Sequence, residues 1–95
     1  MEFDWNNPPF ALDGSLTVRD IEESFEDPFA SRLLPDSPRF GMQARYFNLG
    51  RAGSGQGIFS VYRTNGRLVR VICAREFTEA EEYFYQRKLR QILEA

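Results

Sequence analysis

A chain of 95 residues, 42% hydrophobic and 27% charged, with a formal net charge of −2, has the make-up of one globular domain with one modest core. A single cysteine and no histidine exclude a Cys/His zinc site, a Ser-His-Asp triad, a Cys-His pair and an internal disulfide. No apolar run approaches the roughly 20 residues of a membrane span, and the acidic start "MEFDWNNPPF" lacks a signal-peptide pattern, so a cytoplasmic protein without membrane attachment is expected.

Taken in order, "EFDW" alternates in hydrophobicity and reads as a short first strand. "NNPP" stops it, because proline cannot donate to a ladder. Thr17 is a candidate N-cap with Asp20 three residues on, and Val18, Ile21 and Phe25 supply the apolar stripe of a short helix ending before Pro28. "FASRLL" is a further strand candidate, and "PDSPRFG" is a turn-rich connection. Residues 44–75 read as an antiparallel meander: "ARYFNLGR", a loose "AGSGQG" connection, then "IFSVYRT" and "RLVRVICAR" around Asn65-Gly66. Asn-Gly favours a two-residue type I′ hairpin turn. That turn predicts Thr64 opposite Arg67, Arg63 opposite Leu68, Val61 opposite Arg70 and Phe59 opposite Ile72. It places Arg63 and Arg70 on one face as diagonal neighbours, and Arg75 on the other face, beyond the last paired residues. Thr78 and Glu81 form a T-x-x-E capping box at the start of a final helix. Ala80, Phe84, Tyr85, Leu89, Ile92 and Leu93 give that helix a broad apolar side. The order is β-α-β-β-β-β-α. The expected fold is α+β, a mainly antiparallel sheet of about four strands with two or more helices packed on it.

Charge is strongly segregated. Residues 1–40 carry nine acids and three bases, whereas residues 41–75 carry six arginines and no acid. Those arginines are Arg45, Arg51, Arg63, Arg67, Arg70 and Arg75. Arginine makes bidentate contacts to phosphate or carboxylate. Pairing with the acids of the first segment is one reading, and an anion-binding face for RNA or DNA is the other. The "GSGQG" stretch lacks the Lys-Ser/Thr of a phosphate loop and no helix follows it. Any general acid or base must be Glu, Asp, Tyr, Lys or Cys73. Glu81 has a sufficient explanation in its capping box. Tyr46, Tyr62, Tyr83 and Tyr85 fit core positions with a wet hydroxyl, and Cys73 fits an inert strand position.

Several segments together resemble the BrnT-like toxins of bacterial type II toxin–antitoxin systems. "FDW" at 3–5 is similar to the family's opening strand, and "LTVRDIEESFEDP" at 16–28 to its helix followed by Asp-Pro. "RYFNLGRA" at 45–52 is similar to its Arg-Phe-x-x-x-Gly-Arg-Ser segment. "YRTNGRLVRVICAREFTEAE" at 62–81 resembles its hairpin and its Ile-Ile-Ser-Ala-Arg-Arg-Ala-Thr-x-x-Glu ending, with Cys73 in place of the usual serine. The resemblance spans residues 1–95 as a single domain and implies a RelE/ParE-like fold.

It further implies a metal-independent ribonuclease that needs no cofactor and blocks translation. A cognate BrnA-like antitoxin would neutralise it, operator DNA would be contacted only through the antitoxin complex, and a homodimer is an option. The family's polar pattern falls on Arg45, Arg75 and Glu81. In that scheme Arg45 and Arg75 stabilise the charged phosphorane, Glu81 or a tyrosine is the base, and Arg51, Arg63 and Arg70 contact RNA. Two departures stand out. "LDGS" at 12–15 replaces a Lys-His-Gly segment, and "GMQAR" at 41–45 lacks the acid of Gly-Glu-x-Arg. They leave open a diverged member with weak or no nuclease activity that acts as a protein-interaction module. An unrelated small α+β binding domain is the remaining alternative.

Overall fold

The computed structural model describes residues 1–12, 15–33 and 45–94. The "PDSPRFG" connection and most of "GMQAR" lie outside the described residues. The elements are β1 (Glu2–Phe3), α1 (Val18–Glu26), β2 (Ser31–Leu33), β3 (Tyr46–Arg51), β4 (Gly57–Thr64), β5 (Leu68–Glu76) and α2 (Glu79–Glu94). They form an α+β domain on a sheet of five strands, where about four were expected, in the order β1-β5-β4-β3-β2. All neighbours are antiparallel except β1, which adds to β5 in parallel as a two-residue edge. No described helix is long and apolar enough to cross a membrane.

Local chemistry sets the ends of α1. Thr17 Oγ1 accepts from the Asp20 amide at 3.0 Å, and Asp20 Oδ2 accepts from the Thr17 amide at 3.2 Å, a reciprocal capping box. At the other end no glycine and no basic residue of the helix serves the last carbonyls. The sheet does so instead. Asn48 Nδ2 donates to Ser24 O at 3.2 Å and Arg32 Nη2 donates to Phe25 O at 2.6 Å. Ile21 and Phe25 bury against Tyr62, Val69 and Val71, with Phe25 edge-on to Phe3 and Tyr62. Burying each such side chain contributes about 1.5–3 kcal/mol. The helix lies so close to β3 that a Cβ on Gly50 would sit 1.9 Å from Ser24 O.

The hairpin departs from the expected register in two places. Asn65 Oδ1 accepts from the Arg67 and Leu68 amides, both at 2.9 Å, so four residues make the turn and Thr64 pairs with Val69. Gly66 takes φ +94°, open to glycine. Arg63 then stands directly opposite Arg70, not diagonal to it. Further along, Tyr62 pairs with Val71 while Val61 pairs with Cys73, so Ile72 is the extra residue of a bulge. The bulge reverses the facing of every β5 residue after it. Ala74 turns in beside Ser60 on the α1 side, and Arg75 turns out beside Phe59, on the face of Arg63 and Arg70. The expectation that Arg75 occupies the opposite face, past the paired residues, is therefore corrected.

Only part of α2 lies on the sheet. Tyr85 is its one buried residue, packed on Phe77, while Ile92 and Leu93 are 53% and 67% exposed. The broad apolar side expected for this helix is real as a pattern, but Ile92 and Leu93 of its last turn stay exposed.

Candidate nucleic-acid interface

Alternation along β3, β4 and β5 decides which residues share the face away from α1. Reading across the strands, it carries Leu49, Phe59 and Arg75 in one row, then Phe47, Val61 and Cys73. Arg63 and Arg70 make the next row, and Arg45 lies one position beyond the Tyr46–Tyr62 pair, alongside Arg63 in the register. Arg51, opposite Gly57, is on the same face at the α2 end. All five arginines singled out as site candidates thus share one side of the sheet.

Their surroundings divide them sharply. Arg51 pairs with Glu82, donates to Gly55 O at 2.8 Å, and lies over the Tyr85 ring at 4.9 Å. It anchors α2. Its hydrogen bond to Glu82 holds that carboxyl below its ordinary pKa. Arg70 donates to Asn6 O at 2.8 Å and Asn7 O at 2.9 Å and meets Asp4 at 3.3 Å. It fastens the N-terminal segment to β5. Arg75 grips Glu81 through both guanidinium nitrogens, at 2.7 and 2.9 Å, and lies 4.5 Å from the centre of the Phe59 ring. Arg45 and Arg63 are exposed and have no carboxylate partner among the described residues.

Glu81 is fully engaged. Besides Arg75, its Oε1 accepts from the Thr78 amide at 2.9 Å while its own amide donates to Thr78 Oγ1 at 3.2 Å. The hydrogen bond from Arg75, more than any other influence, pulls its carboxyl below the ordinary range. A carboxylate so stabilised is a weak proton acceptor. Tyr62 and Tyr85 fare no better as bases. Burial pushes Tyr62 up, and burial followed by the neighbouring Asp27 pushes Tyr85 up. Tyr85 donates to Asp27 Oδ2 at 2.6 Å, the same oxygen that accepts from the Arg51 amide at 2.8 Å.

Beside the arginines lies a groove of about 310 Å³ that the sequence reading missed. Leu33, Phe47, Leu49 and Phe59 form its floor, with Ala80, Glu81 and Phe84 of α2 along one wall. Phe47 and Phe59 stack at 5.8 Å between ring centroids. The available signal was the placement of two phenylalanines at same-face positions of neighbouring strands. No protein-family model, no curated protein and no solved structure matches this chain.

Proposed function

We propose that the protein is a toxin-like, RNA-engaging member of the RelE/ParE-related BrnT-like group, neutralised by a cognate BrnA-like antitoxin. The observation that supports this best is the sheet face on which two exposed arginines, Arg45 and Arg63, with no carboxylate partner among the described residues, adjoin a phenylalanine-lined groove. Cations that meet no carboxylate retain their attraction for phosphate, and half-buried aromatic rings offer stacking contacts to unpaired bases.

Metal-independent cleavage of RNA needs a base for the 2′-hydroxyl proton, donors for the charged phosphorane, and an acid for the leaving 5′-oxygen. Arg45 and Arg75 fit the second role by charge and shape. For Arg75 the Glu81 carboxylate must first be exchanged for phosphate. Glu81, held deprotonated and twice bonded, is the weak point of the scheme. That observation favours a second reading, a diverged toxin fold that binds its partner without cutting RNA.

An RNA-cleavage assay with the wild type, Arg45→Ala and Arg75→Ala separates the two. Cleavage that falls at least tenfold in both variants supports the ribonuclease. RNA binding without cleavage, together with tight antitoxin binding, selects the second reading. Neither RNA binding nor cleavage overturns both RNA roles.

A further inference from the structure

The apolar groove has no role in the phosphate chemistry just described, and its lining needs an explanation. Phe47, Phe59 and Phe84 bring three aromatic rings to one hollow, and Leu33 and Leu49 complete it. Its volume of about 310 Å³ lies at the lower end of the range for small-ligand sites. The one carboxylate in its wall, Glu81, is neutralised by Arg75. Just past Phe47 the same face turns basic: Arg45 is two residues further, about 7 Å along the strand. Arg63 is four residues beyond Phe59, about 13 Å away.

We infer that this groove is a base pocket for single-stranded RNA, in which an unpaired nucleobase lies against Phe47, Phe59 and Phe84 while Arg45 and Arg63 hold the phosphates that follow. The inference rests on the RNA-engaging reading and narrows it to a substrate class. Charge complementarity decides the occupant. A purely apolar helix would offer nothing to Arg45 and Arg63, which have no carboxylate partner among the described residues, whereas a polynucleotide satisfies both the rings and the cations. Duplex RNA cannot use the groove, because its bases are stacked and paired away from side chains. Phe and Leu have no hydrogen-bonding groups, so the pocket accepts any base rather than reading its edge.

The test uses fluorescence anisotropy with four probes of equal length: oligouridine, oligoadenosine, an RNA duplex and an abasic ribose-phosphate strand. The wild type binds both single strands and binds the duplex and abasic strand at least tenfold more weakly. Phe47→Leu and Phe59→Leu preserve apolar volume and remove an aromatic ring, and Phe59→Leu also removes the ring beneath Arg75. Each lowers single-strand affinity about 5- to 150-fold, the range for loss of one stacking contact. Abasic or duplex binding as tight as single-strand binding, or leucine variants equal to the wild type, overturns the base pocket and leaves the RNA-engaging reading standing. Failure to bind any of the four probes overturns that reading as well. Thermal unfolding of each variant shows that lost binding is not lost folding.

Discussion

Arg75 and Glu81 face each other with both guanidinium nitrogens on both carboxylate oxygens, at 2.7 and 2.9 Å. The pair joins the end of β5 to the first turn of α2, and the Ile72 bulge makes it, because without that extra residue Arg75 would point toward α1. The same carboxylate closes the capping box with Thr78. One side chain therefore positions a helix and neutralises an arginine that would otherwise be open to phosphate.

Two substitutions separate these duties. Gln at position 81 keeps the capping acceptor and loses the charge. With Arg75 52% exposed, Glu81→Gln costs at most about 1 kcal/mol at pH 7. Glu81→Ala loses the cap as well and costs about 1–2 kcal/mol. Because the Glu81 carboxyl lies below its ordinary value in the folded chain, the unfolded chain binds its proton more readily. The contribution is thus complete above about pH 4.3 and is lost as pH falls through the lower folded value. Urea unfolding at a series of pH values checks this: the wild type and Glu81→Gln converge in acid and stay apart at neutral pH.

Asp27 connects three elements, since its Oδ2 accepts from the Arg51 amide of β3 and from the Tyr85 hydroxyl of α2 beside the end of α1. Tyr85→Phe removes the second of these bonds and leaves the packing on Phe77. The expected loss is about 1–2 kcal/mol, the range for a hydrogen bond to a charged group that keeps another donor. An ultraviolet titration adds an independent readout. The Tyr62 and Tyr85 phenols both ionise above the ordinary tyrosine range, and Tyr85→Phe removes one of the two.

Gly50→Ala puts a methyl group 1.9 Å from Ser24 O, a backbone atom that cannot rotate aside. Either α1 lifts from β3, with loss of the Asn48 bond to Ser24 O, or the strand shifts. We expect a destabilisation of about 3 kcal/mol or more by urea unfolding, the upper end for overpacking. A small loss would mean that α1 is less firmly seated than its contacts imply.

Features set by neighbours in the chain were legible in the sequence. Both capping boxes, Thr17 with Asp20 and Thr78 with Glu81, form as their spacing predicts, and the strand and helix order follows from periodicity. Features set by pairing between strands were not. The Asn65-Gly66 turn exists, yet Asn65 spends its side chain on two amides and lengthens the loop, which moved the register by two. Nothing in "RVICAR" marks Ile72 as the bulge, because that choice is made by what packs on the two faces of β5. The surroundings of the candidate arginines were hidden for the same reason. Alternation puts Arg63 and Arg70 on one face but sends Arg75 to the other until the bulge turns it, and the separate fates of the five arginines depend on partners remote in sequence. Asp4 and Asn6 meet Arg70, and Glu82 meets Arg51. Arg45 and Arg63 differ from these only in having no such partner among the described residues.

The proposed RNA-binding surface is the open sheet face that carries Arg45 and Arg63. It is tested most directly by single-strand RNA affinity measured against salt concentration for the wild type and the Arg45→Ala/Arg63→Ala double variant. Each phosphate contact contributes about 0.7 to the slope of log affinity against log salt on single strands. The expected slope is shallower by about 1.4 in the double variant, with weaker binding at low salt and unchanged thermal unfolding. An unchanged slope and affinity in a folded double variant would contradict it.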